Sequence, residues 1–197
     1  MGPSTTLAKK LPGISPLSDQ LRAQMTGVSW HAGCPVPLDD LRLLTIAYIG
    51  LDGVDRTGQL VVHKNVASAV VDVFAQMRAT GFRIDRMQLI DAYGGSDDAS
   101  TKANNTSAFN CRAVTGGSSW SRHAYGKAID INPVQNPYVY ADGHVVDPKA
   151  ARYTDRSLDE PGMIHDGDAV TKAFAAIGWR WGGDFNPPTD FQHFDTA

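Results

Sequence analysis

The sequence predicts an α+β fold. Helical and strand patterns both occur, and they follow one another without a regular βαβ rhythm. The best helix runs from about Val66 to Thr80, where Val66, Val70, Phe74 and Met77 recur at helical spacing with Val73 beside them. Gly81 stands just past it, in the usual stop position. The clearest strand is LRLLTIAYIGLDG, a buried apolar run that ends in a glycine-rich turn.

The remaining elements follow in chain order. Residues 1 to about 26 are rich in Pro, Ser and Thr, which suggests a loosely attached arm or a cloning remnant with one short helix near Leu17 to Met25. Residues 27–197 are then expected to form a single domain. Asn65 is the expected cap of the first long helix. FRIDRMQLIDAY reads as a strand with alternating burial. The next stretch, GGSDDASTKANNTSAFNCR, is polar and full of turn formers. A loop of that length inside a compact domain is expected to be functional or pinned by contacts. GKAIDIN is a short strand, and DGHVVD carries hairpin chemistry. A second helix is expected from Gly167 to Ile177, with Val170, Phe174 and Ile177 on one face, Asp168 near its start and Gly178 past its end. GWRWGGDF and FQHFD close the chain as short strands. Trp179 and Trp181 are expected in the core.

Composition bounds the function. The chain has 197 residues, 42% hydrophobic and 20% charged, which suits a globular domain. Its net charge is -3 with no Lys/Arg block, which argues against nucleic acid or an anionic membrane as the main partner. No apolar run is long enough to span a bilayer. The N-terminus has no signal-peptide core, so either the protein stays inside the cell or a signal has been replaced. Cys34 and Cys111 are either two buried thiols or a pair. A pair would close a long loop, worth roughly 4 kcal/mol, and would imply an oxidising compartment.

Two stretches carry ligand chemistry. In SRHAYGKAID, the span from His123 to Asp130 would reach roughly 23 Å if fully extended, so both can meet one ion only if the chain turns. Gly126 permits that turn. Strand alternation after it places Gly126, Ala128, Asp130 and Asn132 on one face, with Ile129 and Ile131 toward the core. The small residues beside Asp130 are expected to leave room for an ion and a substrate. DFQHFD offers His193, which shares a face with Phe191 and Asp195. A His/Asp/His set with a fourth position left open describes a catalytic rather than a structural zinc. HExxH is absent. Asp190, three residues before His193, is the candidate base; Arg112 is the candidate oxyanion or carboxylate holder, with Ser121 nearby. Taken singly, each of these has an ordinary structural reading: Asp130 and Asp190 as turn caps, Arg112 as an ion-pair partner. His31, His63, His144 and His165 are expected to be hydrogen-bonded or surface histidines.

SRHAYGKAID resembles the S-x-H-x-x-G-x-A-x-D motif of the VanY-type zinc D-Ala-D-Ala carboxypeptidases and their L-Ala-D-Glu endopeptidase relatives. GWRWGGDFNPPTDFQHFD resembles the closing motif of that family, a Trp-Gly-Gly-Asp run followed by an acid-x-x-His pair. The similarity covers roughly residues 80 to 197, and the wider group includes lysostaphin and the hedgehog signalling domain. It implies that His123, Asp130 and His193 bind one Zn²⁺ and that Asp190 is the catalytic acid/base, where several relatives have Glu. It implies a place beside the site for Ser121 and, by role, a substrate contact for Arg112. The implied fold is α+β, hedgehog/D-Ala-D-Ala peptidase-like, with a small antiparallel sheet carrying the zinc site and helices packed against it. The implied partner is a peptidoglycan stem peptide, the implied location is outside the cytoplasmic membrane, and a monomer is expected. That location implies a Cys34–Cys111 disulfide. The alternative is a non-catalytic zinc-scaffold module that binds wall peptides, or a zinc-free structural domain with the two histidines apart.

Overall fold

In the computed structural model, which describes residues 13–114 and 116–196, the chain first builds a three-stranded antiparallel sheet. β1 (Gly13–Pro16) leads through α1 (Asp19–Met25) to β2 (Leu41–Ile49) and β3 (Asp55–His63), in the spatial order β1-β2-β3. The apolar run in β2 is buried on both faces. Leu44 and Ile46 join one apolar cluster; Leu41 and Leu43, pointing the other way, join a second. Residues 13–26, expected as part of a loose arm, are instead tied down. β1 pairs with Leu44 and its neighbours, and Ser18 caps α1 by accepting from the Leu21 N–H. Leu17, Leu21 and Met25 recur every fourth residue, so one face of this short helix is apolar and buries against Val36, Phe109 and Cys111. The rest of that expected arm, residues 1–12, lies outside the described residues. A disulfide joins Cys34 to Cys111.

α2 (Ala67–Ala79) lies close to its expected place, with Val70, Val73, Phe74 and Met77 buried and Gly81 left-handed at φ 82°. Asn65 is not its cap: Val66 takes that position without a side-chain bond, while the Asn65 N–H donates to His63 Nδ1. Burial of the apolar face carries the helix without a cap. FRIDRMQLIDAY does not form the expected alternating strand. It holds only β4 (Arg86–Met87) and a 3-10 turn at Ile90–Tyr93. Its buried residues Ile84, Met87 and Ile90 recur every third position, a period that no strand can put on one face. The long polar stretch is pinned by contacts. It contains α3 (Asp97–Lys102), capped by Ser96, and β5 (Asn105–Thr106), parallel to β4. Asn104 donates to Gln135 and Asp85, and Asn105 brackets the Gln88 backbone through its N–H and C=O.

The second half supplies β6 (Ala128–Asp130), β7 (Tyr138–Val139), α4 (Ala169–Ala176), β8 (Trp179–Trp181), β9 (Thr189–Asp190) and β10 (His193–Thr196). β6, β10 and β8 form a second antiparallel sheet with β10 central, and β7 pairs with β9. Asp168 caps α4 by accepting from the Val170 and Thr171 N–H groups, both at 2.8 Å. DGHVVD makes a tight turn, in which the Tyr140 N–H donates to the His144 carbonyl, but no strand pair flanks it among the described residues. Phe194 of β10 stacks on Phe174 of α4 at 4.0 Å, and Phe174 meets Phe74 of α2 edge-on. Trp179 and Trp181 are buried in the same cluster, as expected. Each such ring contributes roughly 1.5–3 kcal/mol through burial, which fixes β10 against the helices. The architecture is α+β, with small antiparallel sheets and a few helices.

Candidate metal centre

The site starts at a short 3-10 turn, Arg122–Tyr125, which carries His123. Ser121 opens the turn and its Oγ accepts from the His123 N–H at 3.3 Å. Gly126 closes it in the left-handed region, φ 64°. A Cβ there would lie 2.6 Å from the His63 nitrogen. The glycine therefore serves a close approach to β3, sealed by the His63 N–H donating to the Gly126 carbonyl. This corrects the expected face of small residues beside Asp130. Asn132 leaves that face too: its backbone turns left-handed at φ 46° and its side chain holds the Asp85 N–H and the carbonyls of Arg83 and Gly162. Ile129 and Ile131 do point into the core.

Asp130 on β6 stands directly opposite His193 on β10, and their Oδ1 and Nδ1 are 2.9 Å apart. His123 donates from Nδ1 to the Ala108 carbonyl at 2.6 Å, so its Nε2 is the nitrogen left free. That Nε2 lies 3.1 Å from Asp130 Oδ2 and 3.3 Å from His193 Nδ1. One carboxylate and two imidazole nitrogens thus converge from two sequence stretches, with ligand atoms within 4.8 Å of one another. The donor set suits a divalent cation such as zinc. Burial acts to raise the Asp130 carboxyl, but the two imidazoles outweigh it and hold it well below the usual carboxylate range. Burial likewise opposes charge on His193, but the Asp130 and Asp195 carboxylates prevail and push it up to about 10. A cation among these three groups would replace the proton on His193 Nδ1.

Asp190 sits on β9 opposite Tyr138. Its Oδ1 is buried and meets no hydrogen-bond partner among the described residues. Burial is the main cause that pushes its carboxyl up to about 7. The Gly-Gly of the WGGD run explains its placement. A Cβ on Gly182 would fall 2.4 Å from the Asp190 carbonyl oxygen and 3.1 Å from His193 Cβ. Gly182→Ala is therefore expected to displace both, with a loss of kcat/KM on the order of 10²-fold in a protein that still folds. Steady-state hydrolysis beside a thermal melt checks this.

A cavity of about 610 Å³ opens onto the group and is lined by His123, Asp130, Asp190 and His193 together with Arg112 and Ser121. Arg112 reaches it with one nitrogen paired to Asp97 at 2.9 Å, while its buried Nε has no partner among the described residues. Ser121 spends its hydroxyl as the cap of the His123 turn and its N–H on the Arg112 carbonyl. Sequence reasoning missed Gln192, whose buried Oε1 lacks a partner among the described residues and which lines the same cavity. Its place inside DFQHFD was the available signal. The other four histidines lie outside the group. His31 is beside Cys34 and Cys111, but those sulfurs are bonded to each other and are not thiolate ligands.

Residues 115–196 match the family model of D-alanyl-D-alanine carboxypeptidase. No curated protein and no solved structure matches the chain. The matched stretch contains Ser121, His123, Asp130, Asp190 and His193, whereas Arg112 precedes it. The segment that carries the site is thus similar to that of the VanY-type, D-alanyl-D-alanine carboxypeptidase-like peptidases.

Proposed function

We propose that this protein is a zinc-dependent peptidase that hydrolyses peptidoglycan stem peptides next to a D-residue. The observation that carries the reading is the convergence of His123 Nε2, the Asp130 carboxylate and His193 Nδ1 at a cavity that is also lined by Asp190, whose buried Oδ1 has no partner among the described residues. In this reading the three groups hold Zn²⁺. When bound there, zinc supplies Lewis acidity and lowers the pKa of water. Asp190 accepts the proton of the water that attacks the amide carbon and returns it to the leaving amine. Arg112, which lines the cavity, supplies a guanidinium for the developing oxyanion or for a substrate carboxylate, and Ser121 holds both Arg112 and His123 in place. The hedgehog/D-Ala-D-Ala peptidase-like fold belongs to the same proposal, as do residues 27–197 as one functional unit and a monomeric state.

An extracytoplasmic or secreted location is part of the reading. The Cys34–Cys111 disulfide supports it, and no helix among the described residues is long and apolar enough to cross a membrane.

The test is a muropeptide digest read by mass spectrometry, with zinc added and in parallel with a chelator. Loss of a terminal D-Ala, or a cut between L-Ala and D-Glu, is expected with zinc and is expected to stop with chelator. The bond cut assigns carboxypeptidase or endopeptidase action. Zinc bound with no muropeptide cleaved would replace this reading with a wall-peptide binding module.

A further inference from the structure

We propose that Asp195 is a positioning residue that fixes the ring of His193 so that Nδ1, not Nε2, is presented beside Asp130. The inference rests on the zinc reading above. β10 alternates, so Phe194 enters the core while His193 and Asp195 share the opposite face. Asp195 is only 4% exposed, and a bare carboxylate at such depth is costly. Arg180 offsets that cost. It stands opposite Asp195 in the β10–β8 register and donates to the carboxylate from Nε at 3.0 Å and from Nη2 at 2.9 Å to each oxygen. Arg122 adds a more distant positive charge, with its Nε 3.9 Å away.

Held in this way, Asp195 Oδ2 lies 3.7 Å from His193 Nε2, an ion-pair separation rather than a hydrogen bond. The imidazole therefore stands between two carboxylates, Asp130 at Nδ1 and Asp195 at Nε2. A nitrogen that ligates a cation cannot carry a proton, so a ring bound through Nδ1 must keep its proton on Nε2. That proton faces Asp195. Turning the ring over would set carbon atoms against both carboxylates, so Asp195 opposes the flip as well as choosing the tautomer. His123 is governed in the same manner from its other nitrogen, through Nδ1–H donated to the Ala108 carbonyl.

Three variants and two kinds of spectrum test this. Zinc affinity is measured by competition with a chromophoric chelator, cobalt absorption reports the ligand geometry, and a melt of the metal-free protein reports stability. Asp195→Ala is expected to weaken zinc by about 10–100-fold and alter the cobalt spectrum. Asp195→Asn keeps an oxygen that can accept from Nε2–H and is expected to recover most of that loss. Arg180→Met is expected to lower the melting temperature while weakening zinc less than Asp195→Ala does. In the zinc-loaded wild type, which needs no variant to fold, ¹⁵N NMR of the histidine rings is expected to show His193 protonated at Nε2. Unchanged zinc affinity in Asp195→Ala overturns the proposal. So does an equal zinc loss in Arg180→Met at equal stability, or a His193 bound through Nε2. A wild type that binds no zinc overturns the zinc reading itself instead.

Discussion

Asp190→Asn is expected to lower kcat on a muropeptide by on the order of 10³-fold while bound zinc stays at the wild-type level. Asparagine keeps the size of the side chain and its acceptor oxygen. It cannot take a proton from water or return one to an amine. The group lies apart from the three proposed ligands, so the cation should remain in place. Stability should hold or rise in the metal-free protein, because the substitution removes a negative charge that burial disfavours. The pH profile supplies a second readout. Burial pushes Asp190 up to about 7, and the group acts only when unprotonated, so the wild-type rate should climb with pH on the acid side. A bound cation favours the ionised form and draws that limb to lower pH. The measurement is single-turnover hydrolysis with zinc content determined on the same samples. Near-normal turnover with zinc bound would remove Asp190 from the chemistry.

The paired replacement Cys34→Ser with Cys111→Ser is expected to cost about 4 kcal/mol of stability, since the bond spans 77 residues of sequence. For a chain of this size that is a drop of roughly 10 °C in melting temperature. The effect acts largely on the unfolded chain, which gains the conformations that the closed loop denies it. A second effect concerns the cavity. Cys111 adjoins Arg112, and its N–H donates to the Ser29 carbonyl at 2.9 Å, so the bond anchors the strand of chain from which Arg112 reaches the site. Turnover measured well below the melting temperature should therefore fall modestly, mainly through KM. Matching melting temperatures for the oxidised protein and the double variant would show that the bridge carries no stability.

What could be read from the sequence was what neighbouring residues decide. The periodicity of Val70, Phe74 and Met77 specifies a helix face, and the structure buries it. The alternation in FQHFD puts Phe194 opposite His193, and the structure sends Phe194 to the core. The two motifs were enough to nominate His123, Asp130 and His193 together. What could not be read depends on residues distant in sequence. Gly126 looked like a means of opening the site, yet it is small because β3 passes against it. Gly182 is small because Asp190 and His193 crowd it, a contact no spacing rule reveals. Asp195 gains meaning only from the register that sets Arg180 across from it. The attachment of β1 rests on edge pairing to β2, and a four-residue strand of small and polar residues carries little signal of its own.

The disulfide and the proposed ligand set close two spans of the chain that follow one another without overlapping. The sulfur bridge ties 34 to 111, and the carboxylate–imidazole triangle ties 123 to 193. Topologically the polypeptide is two consecutive rings rather than nested or threaded ones. With zinc bound as proposed, a reductant and a chelator would therefore act on different spans of the chain.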